Sequence, residues 1–529
     1  MSTPSLAWLA RVGRHVVDER GAPVFLRGVG LGNWLLPEGY MWLFGDECAS
    51  PRQIEGLVAR LIGDEAAAAF WRRFRDTYVT EEDIAAIAAC GYNSVRIPIN
   101  SRVVLDDDGG FREDGFALIE RCVQWCREHG LYVVLDLHGA PGGQTGANID
   151  DSLGWPDLFT DRRNEELTIA LWVELARRYR DDPTIALYDL LNEPVPGDHR
   201  AQYTEPLVRL YKELIAAIRE VDTRHLITLE GTNWSNDWSM FDGLWDDQLV
   251  LQFHKYWNPP DVASIQHYLD ERERLDVPIW LGESGENGLG WFEATFGMCD
   301  ELGIGWNFWQ WKKLGTEISP VSIRVPRDWE RIRAAARGEE DVPREDATRI
   351  FEEYLVSIPL AACERLPRVA NAMLRRVPVL LHAEHFGHRG EGVSWHGAKR
   401  DTGLVGFRED DGITIGFVDP ARTGEIDFRD LRRAERETEK LEARLVAGEW
   451  AAYEVELTAP GRIAVAVEGV ADADGVVELS IGGAAAEPVE AGESLLSVRS
   501  AELPAGRHEL RVAVSSGSAA IRTLDVRLA

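Results

Sequence analysis

Eight short runs of mostly apolar residues recur between residues 24 and 311 of the chain. Several runs are almost continuously apolar, which is typical of parallel strands that are covered on both faces. Helical patterns separate most of them, as in VTEEDIAAIAACG (79–91), where Thr80 predicts an N-terminal cap and Gly91 a stop. This alternation predicts an α/β fold, a (β/α)8 TIM barrel. The runs cover residues 24–32, 93–99, 131–139, 185–193, 225–231, 249–256, 278–285 and 303–311.

The pattern changes on both sides of these runs. Residues 11–24 predict a hairpin that plugs the bottom of the barrel, and two further helices are expected near 345–357 and 361–376. Beyond about residue 377, short β-like runs separated by turn residues predict an all-β sandwich. The predicted domains are therefore a barrel with its N-terminal hairpin, 1–376, and a C-terminal β-sandwich, 377–529. The charged segment 431–445 is either a helical insert or a solvated connection.

Composition excludes some classes of partner. The chain has 529 residues, with 89 acidic and 57 basic side chains and a formal net charge of −32. Such a surface repels nucleic acid and anionic membranes, because both are bound through Lys and Arg. The first residues show neither a secretory signal nor a membrane span, so we expect a cytoplasmic location, or a secreted one if a leader was removed. Six cysteines are too few for a disulfide framework, and Cys122 and Cys126 predict a reduced helix face.

Polar groups stand at the C-terminal ends of the predicted strands, where barrel enzymes place their catalytic residues. Polar groups on apolar strands must be satisfied by one another or by a ligand. Two of them are glutamates, Glu193 and Glu283, and a pair of carboxyl groups across a cleft is the minimum equipment for glycoside hydrolysis. The pair needs unequal pKa values, which an adjacent Arg96 and burial could supply. The others are Asn33, Trp34, Asp136, His138, Asn192, Asn233, His254, Tyr256 and Trp309.

Tryptophans support a sugar ligand. Seventeen of the nineteen lie before residue 330, and many fall in strand-to-helix loops. A flat aromatic ring suits the apolar C–H face of a sugar, although burial in a large barrel explains any single tryptophan equally well. The loop set comprises Trp34, Trp42, Trp155, Trp234, Trp238, Trp257 and Trp291.

Six motifs in order resemble glycoside hydrolase family 5, the cellulase-like family of clan A. They are VRIP (95–98), DLHG (136–139), LNEP (191–194), HKYW (254–257), LGESG (281–285) and WNFWQWK (306–312). The resemblance covers about residues 20–330 and implies a retaining mechanism with Glu193 as general acid/base and Glu283 as nucleophile. Glu286, three residues further on, is a weaker candidate for nucleophile. No cofactor and no metal are implied.

The same resemblance implies roles around the two glutamates. Asn192 would hydrogen-bond the substrate 2-hydroxyl, and Arg96 would orient Glu283. His254 and Tyr256 would bracket the glutamates. His138 would line the −1 subsite, and Trp309 would stack on the −1 sugar. Asn33 and Trp34, at the end of the first strand, are further candidates for substrate binding.

The substrate class follows from weaker similarities. Residues 138–152 resemble the corresponding loop of the exo-β-1,3-glucanase branch, and RGVGLGNWL (27–35) resembles both that branch and bacterial glycolipid-cleaving members. This implies a β-glucan, an oligosaccharide or a glucoside. The glycines of 28–34 lack the GxGxxG spacing, so we reject a phosphate loop.

The C-terminal region resembles a family 6 carbohydrate-binding module, most closely at AGEWAAYEVEL (447–457). The resemblance implies sugar-stacking aromatics, for which Trp395, Phe407 and Trp450 are candidates. The calcium of that family would lie near Glu384 and Asp525, but His382 replaces an acidic partner and argues against it. HAEHFGH (382–388) has three histidines at loosely metal-like spacing, and we favour a coincidental loop. A region that only packs on the barrel is the alternative.

The sequence therefore predicts a retaining β-glycoside hydrolase whose two carboxyl groups lie about 5–5.5 Å apart. On the same scaffold, a β-mannosidase or a glucosylceramide-type glycolipid hydrolase is the alternative. A non-catalytic glycan-binding protein is the alternative from another class. A metal-dependent barrel hydrolase would need a histidine pair such as HxH on the first strand, which contains none.

Overall fold

Eight parallel strands close into a barrel. They are short, and nearly every residue in them is buried, because helices cover the outside and side chains fill the inside. An antiparallel hairpin, Ala10–Val12 (β1) and His15–Val17 (β2), precedes them. The barrel strands are Arg27–Gly30 (β3), Ser94–Asn100 (β4), Tyr132–Gly139 (β5), Ile185–Asp189 (β6), Leu226–Glu230 (β7), Leu249–Lys255 (β8), Ile279–Gly285 (β9) and Gly305–Trp309 (β10).

The computed structural model describes residues 6–398, 405–430, 437–488 and 495–529. They fall into two compact units. The barrel unit comprises Met1–His254, Tyr268–Ser284 and Gly305–Arg365, and the sandwich unit comprises Lys255–His267, Gly285–Ile304 and Leu366–Ala529. The domain boundary at residue 376 stays a prediction. Within the described residues, no helix combines the length and the apolar character that a membrane span requires.

Helices connect most of the barrel strands. Residues 231–248, between β7 and β8, contain turns in place of a helix. Thr80 is the N-cap of the helix that follows it, as predicted, and its N–H donates to Asp83 (3.0 Å). The helices are Pro51–Ile62 (α1), Asp64–Tyr78 (α2), Glu81–Ala89 (α3), Ser101–Val104 (α4), Glu113–Glu128 (α5), Arg162–Tyr179 (α6), Arg200–Arg219 (α7), Gln266–Leu275 (α8), Leu289–Glu301 (α9), Trp329–Ala336 (α10), Arg344–Ser357 (α11) and Pro367–Leu374 (α12).

The bottom of the barrel is closed by apolar side chains from the first residues of the strands. Leu26, Tyr132, Leu226 and Trp280 belong to this cluster, and Val16 of the hairpin packs against it. Apolar contact at this end stabilises the barrel and leaves the opposite, C-terminal end free for chemistry.

The predicted loop after β10 contains two short strands, Lys312–Leu314 (β11) and Val321–Ile323 (β12), which form a small sheet with Glu364–Arg365 (β13). The predicted helix near 345–357 is α11. The one predicted over 361–376 is shorter, because Pro367 starts α12 and Arg375, at φ 48°, ends it.

The C-terminal part of the sandwich unit contains two antiparallel sheets, as the sequence predicts. Alternate residues are buried, for example Tyr453, Val455 and Leu457 on one strand and Ile463, Val465 and Val467 on another. The sheets have the orders β16-β17-β25-β19-β23-β22, with β14 on β25, and β15-β18-β24-β20-β21. Their strands are Val379–His382 (β14), Trp395–His396 (β15), Thr414–Phe417 (β16), Leu441–Val446 (β17), Trp450–Leu457 (β18), Ile463–Ala471 (β19), Val476–Ile481 (β20), Ala484–Ala485 (β21), Glu487–Pro488 (β22), Leu496–Arg499 (β23), Gly506–Ser516 (β24) and Ser518–Leu528 (β25).

The charged segment 431–445 has only its second part in the described residues, since 431–436 lie outside them. Glu437–Glu439 form a single 3-10 turn, and β17 starts at Leu441 with mostly buried residues. This described part is therefore neither a helical insert nor a solvated connection, because β17 pairs with β25 inside the sheet.

Candidate active site

Arg96, on β4, is the centre of a buried charge cluster inside the barrel. Its guanidinium lies 3.2 Å from a carboxylate oxygen of Asp136, 2.9 Å from Asp189, 3.6 Å from Glu230 and 2.7 Å from Glu283. A planar fork with five donors can serve several carboxylates at once, which a lysine could not do. Burial opposes the charge of Arg96, but the surrounding carboxylates outweigh it and raise its pKa well above the ordinary value.

Two of these carboxyl groups, those of Asp136 and Asp189, contact Arg96 inside the barrel. Burial raises the pKa of Asp136 and of Asp189 well above the usual range, while the positive charge of Arg96 opposes the rise. Register pairs the two residues across β5 and β6, so they lie side by side in one layer of the barrel. They fix the orientation of Arg96 from the interior.

Glu283, on β9, receives one arm of that arginine. The Nη1 of Arg96 donates to Oε2 of Glu283 (2.7 Å), and the residue is 5% exposed. A charge-assisted hydrogen bond of this length fixes the carboxylate rotamer. The other oxygen, Oε1, is 4.0 Å from Nδ1 of His254.

Glu193 follows β6 in a left-handed backbone conformation, with φ 42°. Such a conformation costs a non-glycine residue about 1–3 kcal/mol and persists only where its surroundings hold it. Here the carboxylate of Glu230 accepts the backbone N–H of Glu193 (2.8 Å). The side chain of Glu193 is 13% exposed, so it faces an opening rather than the packed interior. Burial nevertheless raises its pKa, and the hydrogen bond from His254 works against that rise.

His254, on β8, lies between the carboxylates. Its Nδ1 is 2.7 Å from Oε1 of Glu193, and its Nε2 is 3.3 Å from Oε1 of Glu230. Burial lowers its pKa, but Glu230, Glu283 and Glu193 outweigh burial and raise it well above the ordinary value. The surrounding carboxylates therefore favour the charged imidazolium form of His254 beside Glu193.

Replacing His254 with Gln should move the basic limb of the pH profile of kcat/KM to higher pH. The imidazolium stabilises ionised Glu193, so its removal raises the pKa of Glu193, and the acid form then persists to higher pH. An opposite charge at this distance is worth about 1–3 pKa units. We expect a shift of about one unit or more.

The control for this experiment is His129→Gln, at the end of α5, which should leave both limbs in place. The experiment compares the pH at which the basic limb falls. A lower fraction of folded protein reduces the measured rate but does not move this limb. A basic limb of His254→Gln that stays put or moves to lower pH contradicts the assignment.

Asn192 and His138 form a neutral pair above Arg96. Asn192 Oδ1 accepts from Nη2 of Arg96 (2.8 Å), and its Nδ2 lies 3.3 Å from Nε2 of His138. Nδ1 of His138 is 2.8 Å from Asp136. Burial lowers the pKa of His138 to about 4, so the ring is neutral and its Nε2 can accept from Asn192. These two partners establish which side-chain amide atom of Asn192 is the oxygen and which is the nitrogen.

Trp309, at the end of β10, stacks on His138 with ring centroids 5.3 Å apart and an interplanar angle of 0°. Its N–H donates to the hydroxyl of Tyr40 (2.6 Å). Two of the glycines of 28–34 make room for this ring: a Cβ at Gly30 or at Gly32 would lie 2.8 Å from it. Gly30 and Gly32 therefore leave the space that Trp309 occupies.

One carboxylate oxygen from each of Glu193 and Glu283 and a ring nitrogen of His254 lie within 4.8 Å of one another. An inverting glycosidase separates its two carboxyl groups by about 6.5–9.5 Å to admit water, whereas a retaining one needs about 5–5.5 Å. The short approach favours the retaining geometry. The same three groups have the chemistry to bind a divalent cation, although glycoside hydrolysis by two carboxyl groups requires none.

Comparison with known proteins places this site in a family. Residues 60–315 match the model of the family described as Cellulase (glycosyl hydrolase family 5). The chain carries a glycosyl hydrolase family 5 domain. This confirms the family predicted from the six motifs.

Individual relatives agree with the family assignment. A "Beta-xylosidase" of Phanerodontia chrysosporium is 35% identical over 303 residues, which is 53% of this chain and 62% of that protein. An "Endoglucanase C" of Acetivibrio thermocellus is 26% identical and covers 47% of this chain and 88% of the relative. A "Probable glucan 1,3-beta-glucosidase A" of Emericella nidulans is 35% identical, with coverages of 49% and 66%.

For three of the predicted substrate-binding residues, the structure shows no position beside the two glutamates. Asn33 is fully buried and accepts the indole N–H of Trp42 (2.6 Å), and Trp34 is 1% exposed and donates to the carbonyl of Arg75 (2.8 Å). These contacts give Asn33 and Trp34 a packing role. Tyr256 belongs to the sandwich unit, so its place beside the glutamates stays a prediction.

The loop tryptophans are divided among buried, half-buried and exposed rings, with Trp234 half-buried, which corrects the expectation of a common sugar-binding set. Trp34, Trp42, Trp238 and Trp291 are at most 3% exposed, and Trp42 packs among the rings of Phe74, Trp329 and Tyr354. In contrast, Trp155 and Trp257 are 43% and 44% exposed. Trp155 contacts His199 edge-on, with ring centroids 4.8 Å apart.

Three residues of this cluster are not predicted from the sequence: Asp189, Glu230 and Gln252. Gln252 donates to Asp189 (3.1 Å) and to Glu230, so it ties the two acids together. Alternation along β8 could have revealed Gln252, because it precedes His254 by two positions and therefore faces the same side. Asp189 and Glu230 end apolar strands, but only the structure shows that they converge on Arg96.

Proposed function

We propose that the chain is a retaining β-glycoside hydrolase that cleaves β-glucosidic bonds of a glucan, an oligosaccharide or a glucoside by double displacement. The observation that carries the proposal is the approach of Glu193 and Glu283 within 4.8 Å at the mouth of a family 5 barrel. In the first step, a Glu283 oxygen attacks the anomeric carbon while Glu193 gives its proton to the departing glycosidic oxygen. In the second, Glu193 takes a proton from water, which displaces Glu283 and regenerates the enzyme.

The environments of the two glutamates suit these different tasks. The raised pKa of Glu193 keeps a proton available for the leaving group. The Arg96 guanidinium donates to Oε2 of Glu283 at 2.7 Å and holds its carboxyl group in one orientation. Nδ1 of His254 is hydrogen-bonded to Glu193, so His254 contacts the carboxyl group whose protonation changes when Glu193 turns from acid to base.

A glucose-type substrate is supported by the names of the relatives, two of which act on glucans by name. The exposed ring of Trp155, 43% exposed, supports sugar binding. Trp155 lies in the loop after β5, and it contacts the half-buried His199 and the buried Tyr203, which follow β6. Such an exposed ring offers a flat apolar face for the C–H groups of a further sugar. The "Beta-xylosidase" relative makes β-xylosides the second candidate substrate.

The test is a hydrolysis panel with products identified. It contains cello-, laminari-, gentio- and manno-oligosaccharides, glucosylceramide, and aryl β-glucosides, β-mannosides and β-xylosides, with Glu283→Gln as the control for contaminating activity. We expect β-glucosides to give the highest kcat/KM. Proton NMR of the first product should show the β-anomer, since double displacement retains configuration. Initial release of the α-anomer contradicts the mechanism.

Other results of the panel would support one of the alternative substrates or a non-catalytic protein. Preference for mannosides or for glucosylceramide would replace the proposed substrate but keep the mechanism. Preference for xylosides would favour the second candidate. Binding of oligosaccharides with no hydrolysis above the Glu283→Gln control would indicate a glycan-binding protein.

A further inference from the structure

The motif HAEHFGH (382–388) acquires a partner in the folded sandwich unit. β14 ends at His382, a 3-10 turn carries His385, and both rings approach Glu293 on α9. Nδ1 of His382 lies 3.1 Å from Oε2 of Glu293, and Nδ1 of His385 lies 3.8 Å from the same oxygen. One ligand atom from each residue lies within 4.8 Å of the other two. This contact was invisible in the sequence, because Glu293 precedes the motif by almost ninety residues.

We propose that Glu293, His382 and His385 form a binding site for a divalent transition metal ion, with Zn²⁺ as the favoured ion. Two imidazoles and one carboxylate form the ligand set of many open zinc sites, in which water takes the fourth position. Calcium is disfavoured here, because it takes six to eight oxygen ligands and imidazole does not suit it. This site lies in the sandwich unit and differs from the group of Glu193, His254 and Glu283 in the barrel unit.

The observed spacing fits a tetrahedral ion. Zinc–ligand distances of about 2.0–2.2 Å place neighbouring ligand atoms about 3.3–3.5 Å apart. The distances of 3.1 and 3.8 Å bracket that value, so small side-chain rotations are enough to receive the ion. The side chain of His382 is 16% exposed, which provides an entry path and room for a water ligand.

His385 provides the second observation that points to a ligand. The side chain is 5% exposed, and its Nδ1 has no hydrogen-bond partner among the described residues. A buried polar atom without a partner costs about 1–3 kcal/mol. An ordinary ion pair between His382 and Glu293 would account for His382 but would leave this nitrogen unsatisfied. A metal ion coordinated by all three residues satisfies it.

Glu293 is placed to serve as the third ligand. It is buried, 2% exposed, and its Oε2 lies closest to the two histidine rings. α9, which carries Glu293, also leaves space for the His382 ring. A Cβ at Gly290, one turn before Glu293, would lie 2.8 Å from the His382 ring, so only glycine lets the ring reach Glu293.

Neighbouring contacts hold the turn that carries the ligands. The hydroxyl of Tyr453 donates to the carbonyl of Ala383 (2.7 Å), and Arg408 donates to the carbonyl of Gly387 (2.7 Å). The Arg408 guanidinium also lies 3.5 Å from the centroid of the Phe386 ring. Such outer contacts fix ligand geometry and stabilise a preformed site.

The experiment uses Co²⁺ as a visible probe in the full chain. Protein treated with chelator and then dialysed is titrated with Co²⁺, and the d–d absorption of tetrahedral cobalt is recorded, followed by displacement with Zn²⁺. We expect one equivalent of Co²⁺ per chain and loss of the bands as Zn²⁺ is added. Zn²⁺ should also raise the melting temperature of the wild-type protein, because an ion that binds only the folded state stabilises it.

Variants locate the site. His385→Ala and Glu293→Gln should each weaken Co²⁺ binding at least tenfold and remove the Zn²⁺ shift in melting temperature. His396→Gln, an exposed histidine on β15, is the matched control and should bind like the wild type. Glu283→Gln, in the barrel, should also keep the cobalt bands.

Three results would overturn the proposal: no tetrahedral cobalt bands in the wild type, unchanged binding in Glu293→Gln, or loss of the bands in Glu283→Gln. Glu293→Gln keeps the size of the side chain, so it decides the question even if His385→Ala fails to fold. Circular dichroism of each variant establishes that it is folded before the titration.

Discussion

Glu283→Gln will lower kcat for β-glucoside hydrolysis on the order of 10⁴-fold or more, because an amide cannot attack the anomeric carbon. The substitution keeps the shape of the side chain, and the amide oxygen can still accept from Arg96, so the loss reports chemistry rather than folding. Steady-state kinetics with an aryl β-glucoside measures it. In Glu283→Gly, azide should restore turnover and give the α-glycosyl azide, since azide then attacks from the face that Glu283 occupied.

Glu286→Gln is the matched control for this prediction. Glu286 lies just beyond Gly285, the last residue of β9, and was the competing candidate for nucleophile. Its replacement should change kcat by less than tenfold. If Glu286→Gln abolishes activity while Glu283→Gln retains it, the nucleophile is misassigned.

Glu193→Gln should produce a different pattern, which separates the two roles. Loss of a general acid costs about 10²–10⁴-fold in kcat/KM for substrates with poor leaving groups. A dinitrophenyl glucoside needs no proton, so glycosylation should survive, and slow deglycosylation should follow a burst of one equivalent of dinitrophenolate. Equal losses for alkyl and dinitrophenyl glucosides would contradict the acid/base role of Glu193.

The sequence alone could predict the barrel and the approach of two carboxyl groups at its mouth for a physical reason. Strands covered on both faces must be apolar, so a carboxylate at the end of such a strand stands out. Glu193 and Glu283 are such residues, and the barrel topology requires their strand ends to meet at one mouth. The predicted strands of the sandwich follow equally from period-two alternation, as in Tyr453, Val455 and Leu457.

What the sequence could not provide is proximity between residues that lie far apart in the chain. Trp34 and Trp155 both fall in loops after barrel strands, yet one is 1% and the other 43% exposed. The difference depends on packing partners such as the Arg75 carbonyl, which no local pattern specifies. The approach of Glu293 to His382 depends in the same way on tertiary structure.

The Arg96 cluster is the clearest case of such long-range dependence, and it predicts the largest effect on stability. Arg96→Met should lower the free energy of unfolding by about 3–5 kcal/mol, because it leaves buried carboxylates without their cation. Urea unfolding of the wild type and of Arg96→Met measures this difference directly, independently of catalysis. Arg178→Met is the control: Arg178 also faces three carboxylates, Glu113, Glu120 and Glu174, but at the surface. There the loss should be about 1 kcal/mol or less.

The loss caused by Arg96→Met should also depend on pH, with a sign that the cluster fixes. Burial raises the pKa of Asp136 and Asp189, and Arg96 opposes that rise, so removing Arg96 raises both values further. An acid whose pKa is higher in the folded state binds more protons there than in the unfolded chain, so stability falls as pH rises from about 4, the unfolded value. The wild type follows the same trend, but it stops losing stability at its own folded pKa values, whereas the variant continues to higher ones. The difference in unfolding free energy between wild type and variant should therefore grow with pH and be smaller at pH 5 than at pH 9. A difference that is the same at both pH values, or one no larger than that of Arg178→Met, would contradict the view that Arg96 neutralises these buried acids.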